Sequence, residues 1–211
     1  MANWYRKEKF TNMKEYVIKR IEGLPEWDKI PVMPIDHQRG ENKDNVSAQA
    51  QICWDAFGLR VRLSATEKHI RKKLKGLYEN VCRDSCLEFF LKPLADDPHY
   101  MNIEMNPNCA MWLGYNSSKA NMTRLIPFKY MDILTPIVTF TKTGWVITYT
   151  VPFAFLQTYY PTFQPKSGLE FTGNCYKCGV RTRHPHLLMW NPIPDGLSFH
   201  EPEHFGKLIL E

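Results

Sequence analysis

The sequence lacks a hydrophobic run that could cross a membrane. Although 44% of its 211 residues are hydrophobic, no stretch approaches the roughly 18 consecutive apolar residues that a membrane-spanning helix requires. The charged start, Met1–Glu8, is not followed by the apolar core of a signal peptide. We therefore expect a cytoplasmic protein with no membrane contact, or an extracellular one if a leader has been trimmed from the sequence.

A strong charge of one sign is also absent, because 27 Lys and Arg stand against 22 Asp and Glu, for a net charge of only +5. The densest basic run, Lys68–Lys75, has no interleaved aromatic residues and matches no nucleic-acid-binding motif. Ile70, Leu74 and Leu77 recur there at helical spacing, which predicts an amphipathic helix over Glu67–Leu77 with its lysines in solvent. No nucleic-acid partner is therefore expected.

The six cysteines lack the context of a disulfide framework, since a chain of this length without an export signal needs no covalent staples. Two pairs, Cys82–Cys86 and Cys175–Cys178, could supply four zinc ligands, with His184 and His186 as further donors. Their spacing is unfavourable, because residues three apart in a strand point to opposite faces. We expect free, mostly buried thiols.

An alternation of apolar and polar residues with period two is the dominant pattern in the chain, and it predicts strands with one buried face. Long helical patterns between these segments are few, so parallel βαβ units are not expected. The prediction is an all-β fold, an antiparallel β-sandwich of the jelly-roll or immunoglobulin-like kind, in one domain over residues 1–211. One or two short helices accompany it, the second at Pro152–Leu156, and residues 31–45 form a loop. The predicted strands cover residues 48–54, 59–64, 87–91, 137–140, 145–151 and 207–210.

One alternating segment carries an unusual polar face. Tyr100, Asn102, Glu104 and Asn106 fall on one side of a predicted strand, while Met and Ile residues fall on the other. Amides and carboxylates are good partners for vicinal sugar hydroxyls, because they offer paired donors and acceptors. The same pattern also fits a strand whose outer face is simply wetted by solvent.

Several segments together resemble the carbohydrate-binding modules of family nine, a branch of the DOMON-like sandwich superfamily. The resemblance implies an antiparallel β-sandwich that binds sugar without catalysis. It runs through most of the chain, over Trp54-Asp55, Asp84–Phe90, Tyr100–Asn106, Trp145, Val151–Phe153, Asn174, Trp190 and Phe199–Gly206.

The resemblance also implies a set of sugar-binding residues. Trp190 matches one of two tryptophans that clamp a sugar ring, so we expect it to be partly exposed. The second clamp would fall near Cys82, which is not aromatic, and Tyr78 could reach in from the preceding turn. Polar partners of the sugar hydroxyls are expected at Asn174, Glu88, Asn102, Glu104 and Lys177.

Two other functions stay open at this point. Glu88 and Glu104 on neighbouring strands could form the carboxylate pair of a glycoside hydrolase, at a separation of about 5–9 Å. Nine methionines and seven histidines allow a haem or redox module. No cofactor is expected otherwise. Some relatives hold calcium through loop carboxylates, for which Asp96-Asp97 is the available acidic pair. The expected partners are a carbohydrate and an enzyme or complex that degrades glycosides.

Overall fold

The computed structural model describes residues 13–76, 79–126 and 133–211. Within these residues the chain forms strands joined mostly by turns and short loops, with one short α-helix and three 3-10 turns. The predicted all-β class and all six predicted strands are confirmed. The strands are β1 (Glu15–Arg20), β2 (Met33–Ile35), β3 (His37–Arg39), β4 (Ser47–Trp54), β5 (Gly58–Thr66), β6 (Cys86–Lys92), β7 (Tyr100–Met105), β8 (Met111–Asn116), β9 (Met122–Arg124), β10 (Ile137–Phe140), β11 (Gly144–Pro152), β12 (Glu170–Cys178), β13 (Leu187–Met189) and β14 (Gly206–Leu210); the helix is α1 (Phe153–Tyr159).

The strands form a curled sheet that folds into two layers. The first layer has the order β10-β11-β5-β4, with β2 beside β4, and the second has the order β14-β12-β6-β7-β8-β9, with β13 and β3 beside β12. Strand β1 joins them, because its first four residues pair with β14 and its last two residues pair with β4. Both of these pairings are parallel, whereas the other strand pairs of the described residues are antiparallel.

The main hydrophobic core lies between the two layers, and the period-two pattern explains why. On β6, Leu87, Phe89 and Leu91 point into this core, and they meet inward-facing apolar side chains of β4, β5 and β11. Burying each such side chain contributes roughly 1.5–3 kcal/mol. The residues at even positions of β6 and β7 consequently lie on the outer face of the second layer, away from this core.

The helix predicted over Glu67–Leu77 is wrong for residues 67–76, which form turns and irregular backbone, while Leu77 lies outside the described residues. The cause is Asp84, which is fully buried and binds this segment from the side. Its carboxylate accepts the backbone N–H of Leu74 at 2.8 Å and pairs with the Arg71 guanidinium at 3.0 Å. The carboxylate of Asp84, which lies outside this segment, therefore takes a backbone N–H that a helix would have bonded internally, and this tertiary contact overrides the local helical preference.

Two other local predictions had different outcomes. The helix predicted over Pro152–Leu156 is present as α1, but it begins one residue later, with Pro152 as its extended N-cap, and it continues beyond residue 156. The predicted loop over residues 31–45 is wrong in part, because it contains the short strands β2 and β3. Among the described residues, no helix is long and apolar enough to span a membrane.

A buried ion pair connects the two layers. Lys177 on β12 is completely buried and its Nζ lies 3.2 Å from Oε1 of Glu67, which follows β5 and is only 4% exposed. The same carboxylate accepts hydrogen bonds from the indole Nε1 of Trp145 at 2.6 Å and from Ser85 Oγ at 2.8 Å. Nζ of Lys177 also donates to the Cys178 carbonyl. Since Lys177 belongs to this network, its ammonium group is bonded within the fold, and its predicted role as a donor to sugar gains no support from the structure.

We predict that Lys177→Met lowers the free energy of unfolding by about 3–5 kcal/mol, because it leaves the Glu67 carboxylate buried without its cation. The double variant Glu67→Gln/Lys177→Met should lose less than the single variant. Urea denaturation measures both. Lys207→Met is the matched control, since Lys207 makes a surface ion pair with Glu15 on the neighbouring strand and should matter little. Equal stability of Lys177→Met and wild type would contradict the structural role.

Candidate ligand-binding site

A cavity of about 410 Å³ opens on the outer face of the second layer. This volume is within the usual range for small-ligand sites. We call it the carboxylate cavity, because Glu88 and Glu104 line it side by side. Its lining residues are Arg39, Asn80, Cys82, Glu88, Glu104, Trp112, Lys119, Met122, Cys178, Val180, Leu187, Leu197, Ser198, Phe199 and His200.

Strand register places the key side chains of the carboxylate cavity in one row. Glu88 on β6 lies directly opposite Glu104 on β7, which lies opposite Trp112 on β8. On the other side, Glu88 is opposite Tyr176 on β12. Because side chains directly opposite on antiparallel strands are about 4.5–5.5 Å apart at Cβ, the two carboxylates and the indole are immediate neighbours.

Two aromatic side chains border the carboxylates. Trp112 is half-buried, and the Arg124 guanidinium lies over its ring at 3.9 Å from the centroid. Phe199, in the segment after β13, stacks on Tyr176 with ring centroids 4.1 Å apart and an interplanar angle of 9°. Both rings are therefore held rigidly by neighbours on the same layer, and both line the carboxylate cavity.

Glu88 and Glu104 are both buried, with 2% and 7% exposure. Burial raises the pKa of Glu88 to about 7, and the nearby thiols of Cys178 and Cys86 offset this only in part. Burial, together with the like charge of Glu88, raises the pKa of Glu104 well above its ordinary value. The pair therefore retains protons near neutral pH, so that it can both donate and accept hydrogen bonds.

Asn102, predicted to bind sugar hydroxyls, instead positions Glu104. It is completely buried, its Nδ2 donates to Oε1 of Glu104 at 2.7 Å, and its Oδ1 accepts from Nδ2 of Asn116 at 2.6 Å. Gly114 lies opposite Asn102, and a Cβ there would overlap the Asn102 amide. The prediction that Asn102 and Glu104 share a polar face is confirmed, but solvent does not wet that face.

Asn174 does not line the carboxylate cavity. Its Nδ2 donates to the Asn191 carbonyl at 2.9 Å, and its Oδ1 accepts the backbone N–H groups of Asn191 and Cys175. These three bonds fasten the chain after β13 to β12. The predicted sugar contact of Asn174 therefore gains no support from the structure, because its amide is completely buried and bonded within the fold.

Trp190 is 3% exposed and belongs to the core between the layers, so the expectation that it is partly exposed is wrong. Its backbone N–H donates to the Cys175 carbonyl at 2.9 Å, which continues the pairing of β13 with β12. The indole packs edge-on against Tyr16 and leaves no room for a side chain at Gly206. Tyr78, the other predicted aromatic, lies outside the described residues.

The aromatic residues of the cavity were missed by sequence reasoning. A signal for Trp112 exists, because Met111-Trp-Leu-Gly-Tyr-Asn116 alternates, and Trp112 falls opposite the polar side of the strand at 100–105. Phe199 lies in a segment without periodicity. All six cysteines are free, as predicted, and four of them are buried.

Comparison with known proteins agrees with this architecture. The model of the family described as carbohydrate-binding family 9 matches residues 25–210. No curated protein is significantly similar to the chain in sequence.

Several solved structures share the fold. A protein from Bacteroides uniformis ATCC 8492, described as a candidate carbohydrate-binding protein, has a TM-score of 0.77 and 20% identity, over 95% of this chain and 100% of that chain. A carbohydrate-binding module of family 9 from Caldicellulosiruptor kristjanssonii, in complex with glucose, has a TM-score of 0.68 and 11% identity, over 94% of this chain and 96% of that chain. The same kind of module from that organism in complex with cellotriose has the same score and identity, over 94% of each chain.

We predict that Trp190→Ala destabilises the fold by about 3–5 kcal/mol, as expected when a buried aromatic side chain is deleted. Urea denaturation measures the loss, and Phe57→Ala, at a position 75% exposed, is the control that should change little. Loss of carbohydrate affinity with unchanged stability would instead mean that Trp190 contacts ligand.

The metal-free protein should become less stable as pH rises from about 5 to 8. The pKa of Glu88 is about 7 in the folded protein, whereas it is near 4.5 in the unfolded chain. The contribution of protonated Glu88 to the free energy of unfolding is therefore complete below pH 4.5 and is lost as the pH rises through 7. The loss amounts to roughly 3 kcal/mol at most. Urea denaturation at both pH values, with a chelator present, measures it.

The matched variants for this pH experiment are Glu88→Gln and Glu22→Gln. Glu88→Gln should make the decline in stability shallower, because it removes one of the two buried carboxyls with a raised pKa. Exposed Glu22→Gln should decline as the wild type does. A Glu88→Gln profile identical to that of the wild type would contradict the assignment.

Proposed function

Because the chain belongs to carbohydrate-binding family 9, we propose that it binds a carbohydrate in the carboxylate cavity and does not hydrolyse it. The observation that carries this proposal is the combination of aromatic walls, Trp112 and Phe199, with the buried carboxylates of Glu88 and Glu104 in one cavity. The ligand class is the terminal sugar of a plant-polysaccharide-derived glycan. Family members of the same fold in complex with glucose and cellotriose support that choice.

The two kinds of wall suit the two kinds of surface on a sugar ring. A pyranose presents a patch of C–H bonds that packs on an aromatic face, and its edge presents hydroxyl groups. Trp112 provides a large apolar wall directly beside Glu104. A ring packed on the indole would thus bring its hydroxyl edge to the carboxylates.

One acceptor at the floor of the carboxylate cavity has no hydrogen-bond donor among the described residues. Oε1 of Glu88 is buried and makes no hydrogen bond in the described structure. Leaving a buried acceptor unsatisfied costs about 1–3 kcal/mol, which a donating sugar hydroxyl would recover. Glu88 and Glu104 therefore keep their predicted roles as hydroxyl partners in this proposal.

The arrangement favours binding over glycoside hydrolysis. In a hydrolase the two carboxyl groups flank the scissile bond, and one of them must act in its ionised form. Here both carboxyls lie next to one another on the same face of the layer, and both have a raised pKa. The haem hypothesis stays a prediction, for which Soret absorbance of the purified protein is the test.

We predict that Trp112→Ala weakens binding of cellotriose at least 10-fold, because it removes the apolar wall beside the carboxylates. Isothermal titration calorimetry with glucose, cellotriose and xylotriose measures the affinity, and an assay for released reducing sugar should stay blank. Trp27→Ala is the matched control, since Trp27 is also partly exposed with an arginine over its ring, but does not line the carboxylate cavity. Equal affinity of wild type and Trp112→Ala, or no binding of any of the three sugars, would overturn the proposal.

A further inference from the structure

Two thiols lie beside the carboxylates, and the proposed sugar site does not use them. Cys86 precedes Glu88 by two residues on β6 and therefore points to the same outer face. Cys178 on β12 lies directly opposite Cys86 in register. Both cysteines are free and buried, and both are close enough to the Glu88 carboxylate to lower its pKa.

The distances among these groups are close to those of a metal site. One ligand atom from each of Cys86, Glu88 and Glu104 can be chosen such that all three lie within 4.8 Å of one another. Ligand atoms around a tetrahedral zinc ion lie roughly 3.5 Å apart, given bonds of about 2.0–2.3 Å. Side-chain shifts of about 1 Å would bring these three atoms onto one cation. Cys178 lies outside this group of three, but it is opposite Cys86 in register and would have to move further to become a fourth ligand.

A separate observation points to a missing ligand at this position. Glu88 is 98% buried by residue and lines the carboxylate cavity, yet its Oε1 has no hydrogen-bond partner. Buried carboxylates in folded proteins are normally paired, hydrogen-bonded or bound to a metal. An unpartnered buried carboxylate oxygen, next to a second carboxylate and two thiols, is an available coordination position.

The mixture of donors decides which cation fits. Calcium and magnesium prefer sites built from oxygen ligands alone, whereas thiolate sulfur selects zinc and related transition metals. Lys177 lies on the inner side of the same layer and is paired with Glu67. Its ammonium group therefore does not occupy the outer position between the thiols and carboxylates.

We propose that Cys86, Glu88 and Glu104, with Cys178 as the fourth ligand, bind one Zn²⁺ ion at the floor of the carboxylate cavity. Binding converts each coordinating thiol to a thiolate and each coordinating carboxyl to a carboxylate, and it releases the protons of these groups to solvent, with no change of oxidation state. The inference goes beyond the proposed function, because the cluster binds its cation in the absence of sugar.

Cobalt is the probe, because Co²⁺ enters zinc sites and reports thiolate ligands by an ultraviolet charge-transfer band. Chelator-treated, reduced full-length protein is titrated with Co²⁺, and Zn²⁺ is then added. We expect one Co²⁺ per chain, intense visible bands of a tetrahedral site, and complete displacement by Zn²⁺. The absence of a charge-transfer band in the wild type would overturn the proposal.

Three variants make the test specific. Cys86→Ala should remove about half of the charge-transfer intensity, since one of two thiolates is lost, and Glu88→Gln, which is nearly isosteric and less prone to unfold, should weaken Zn²⁺ binding at least 100-fold. Cys175→Ala is the control, because Cys175 lies on β12 near Cys178 but faces the core between the layers. Wild-type affinity in Glu88→Gln, or equal loss in Cys175→Ala, would contradict the assignment. Cellotriose binding is measured separately on the chelator-treated, metal-free protein, so failure of the sugar proposal and failure of this one are distinguishable.

Discussion

The buried pair of Lys177 and Glu67 is the interaction on which the arrangement of the second layer depends. Because the ammonium group must point between the layers to reach Glu67, the alternation of β12 turns Tyr176 and Cys178 to the outer face. That orientation places Tyr176 beneath Phe199 and Cys178 beside Cys86. A shift of β12 by one residue would exchange its two faces, and it would leave Glu67 buried without its cation. The ion pair thus specifies register as well as connecting the layers.

The buried carboxylates on the two sides of this layer differ in how completely the fold pairs them. On the inner side, Glu67 receives a cation and two neutral donors, so its burial is compensated within the fold. On the outer side, Glu88 and Glu104 are just as deeply buried, but Asn102 is the donor that serves Glu104 and Oε1 of Glu88 has none. Burying charge without full compensation lowers stability, so a site of this kind is expected where a ligand completes it.

Alternation in the sequence was sufficient to predict the faces of the strands, and with them the shared face of Asn102 and Glu104. It also correctly separated Cys175 from Cys178, because residues three apart on a strand face opposite ways. It could not predict the roles of side chains that depend on distant partners. Asp84 prevents the helix expected over residues 67–76, and the surroundings of Trp190 are assembled from Tyr16 and Gly206, at the two ends of the chain. The walls of the carboxylate cavity likewise come from separate segments of the chain, so no local sequence motif predicts which residues form them.

A sugar and a metal ion would meet at one atom, Oε1 of Glu88, because it is the acceptor left without a partner. If each ligand takes this oxygen, only one can bind at a time, and each must weaken the other by the same factor. If the metal ion takes Oε1 of Glu88 and one oxygen of Glu104, and the sugar takes the other Glu104 oxygen and the wall formed by Trp112, both can bind. The bound cation then keeps Glu88 in its ionised form, so that this side chain can accept a hydrogen bond from a sugar hydroxyl but cannot donate one. The sign of the coupling between the two ligands therefore reports which carboxylate oxygen each one uses.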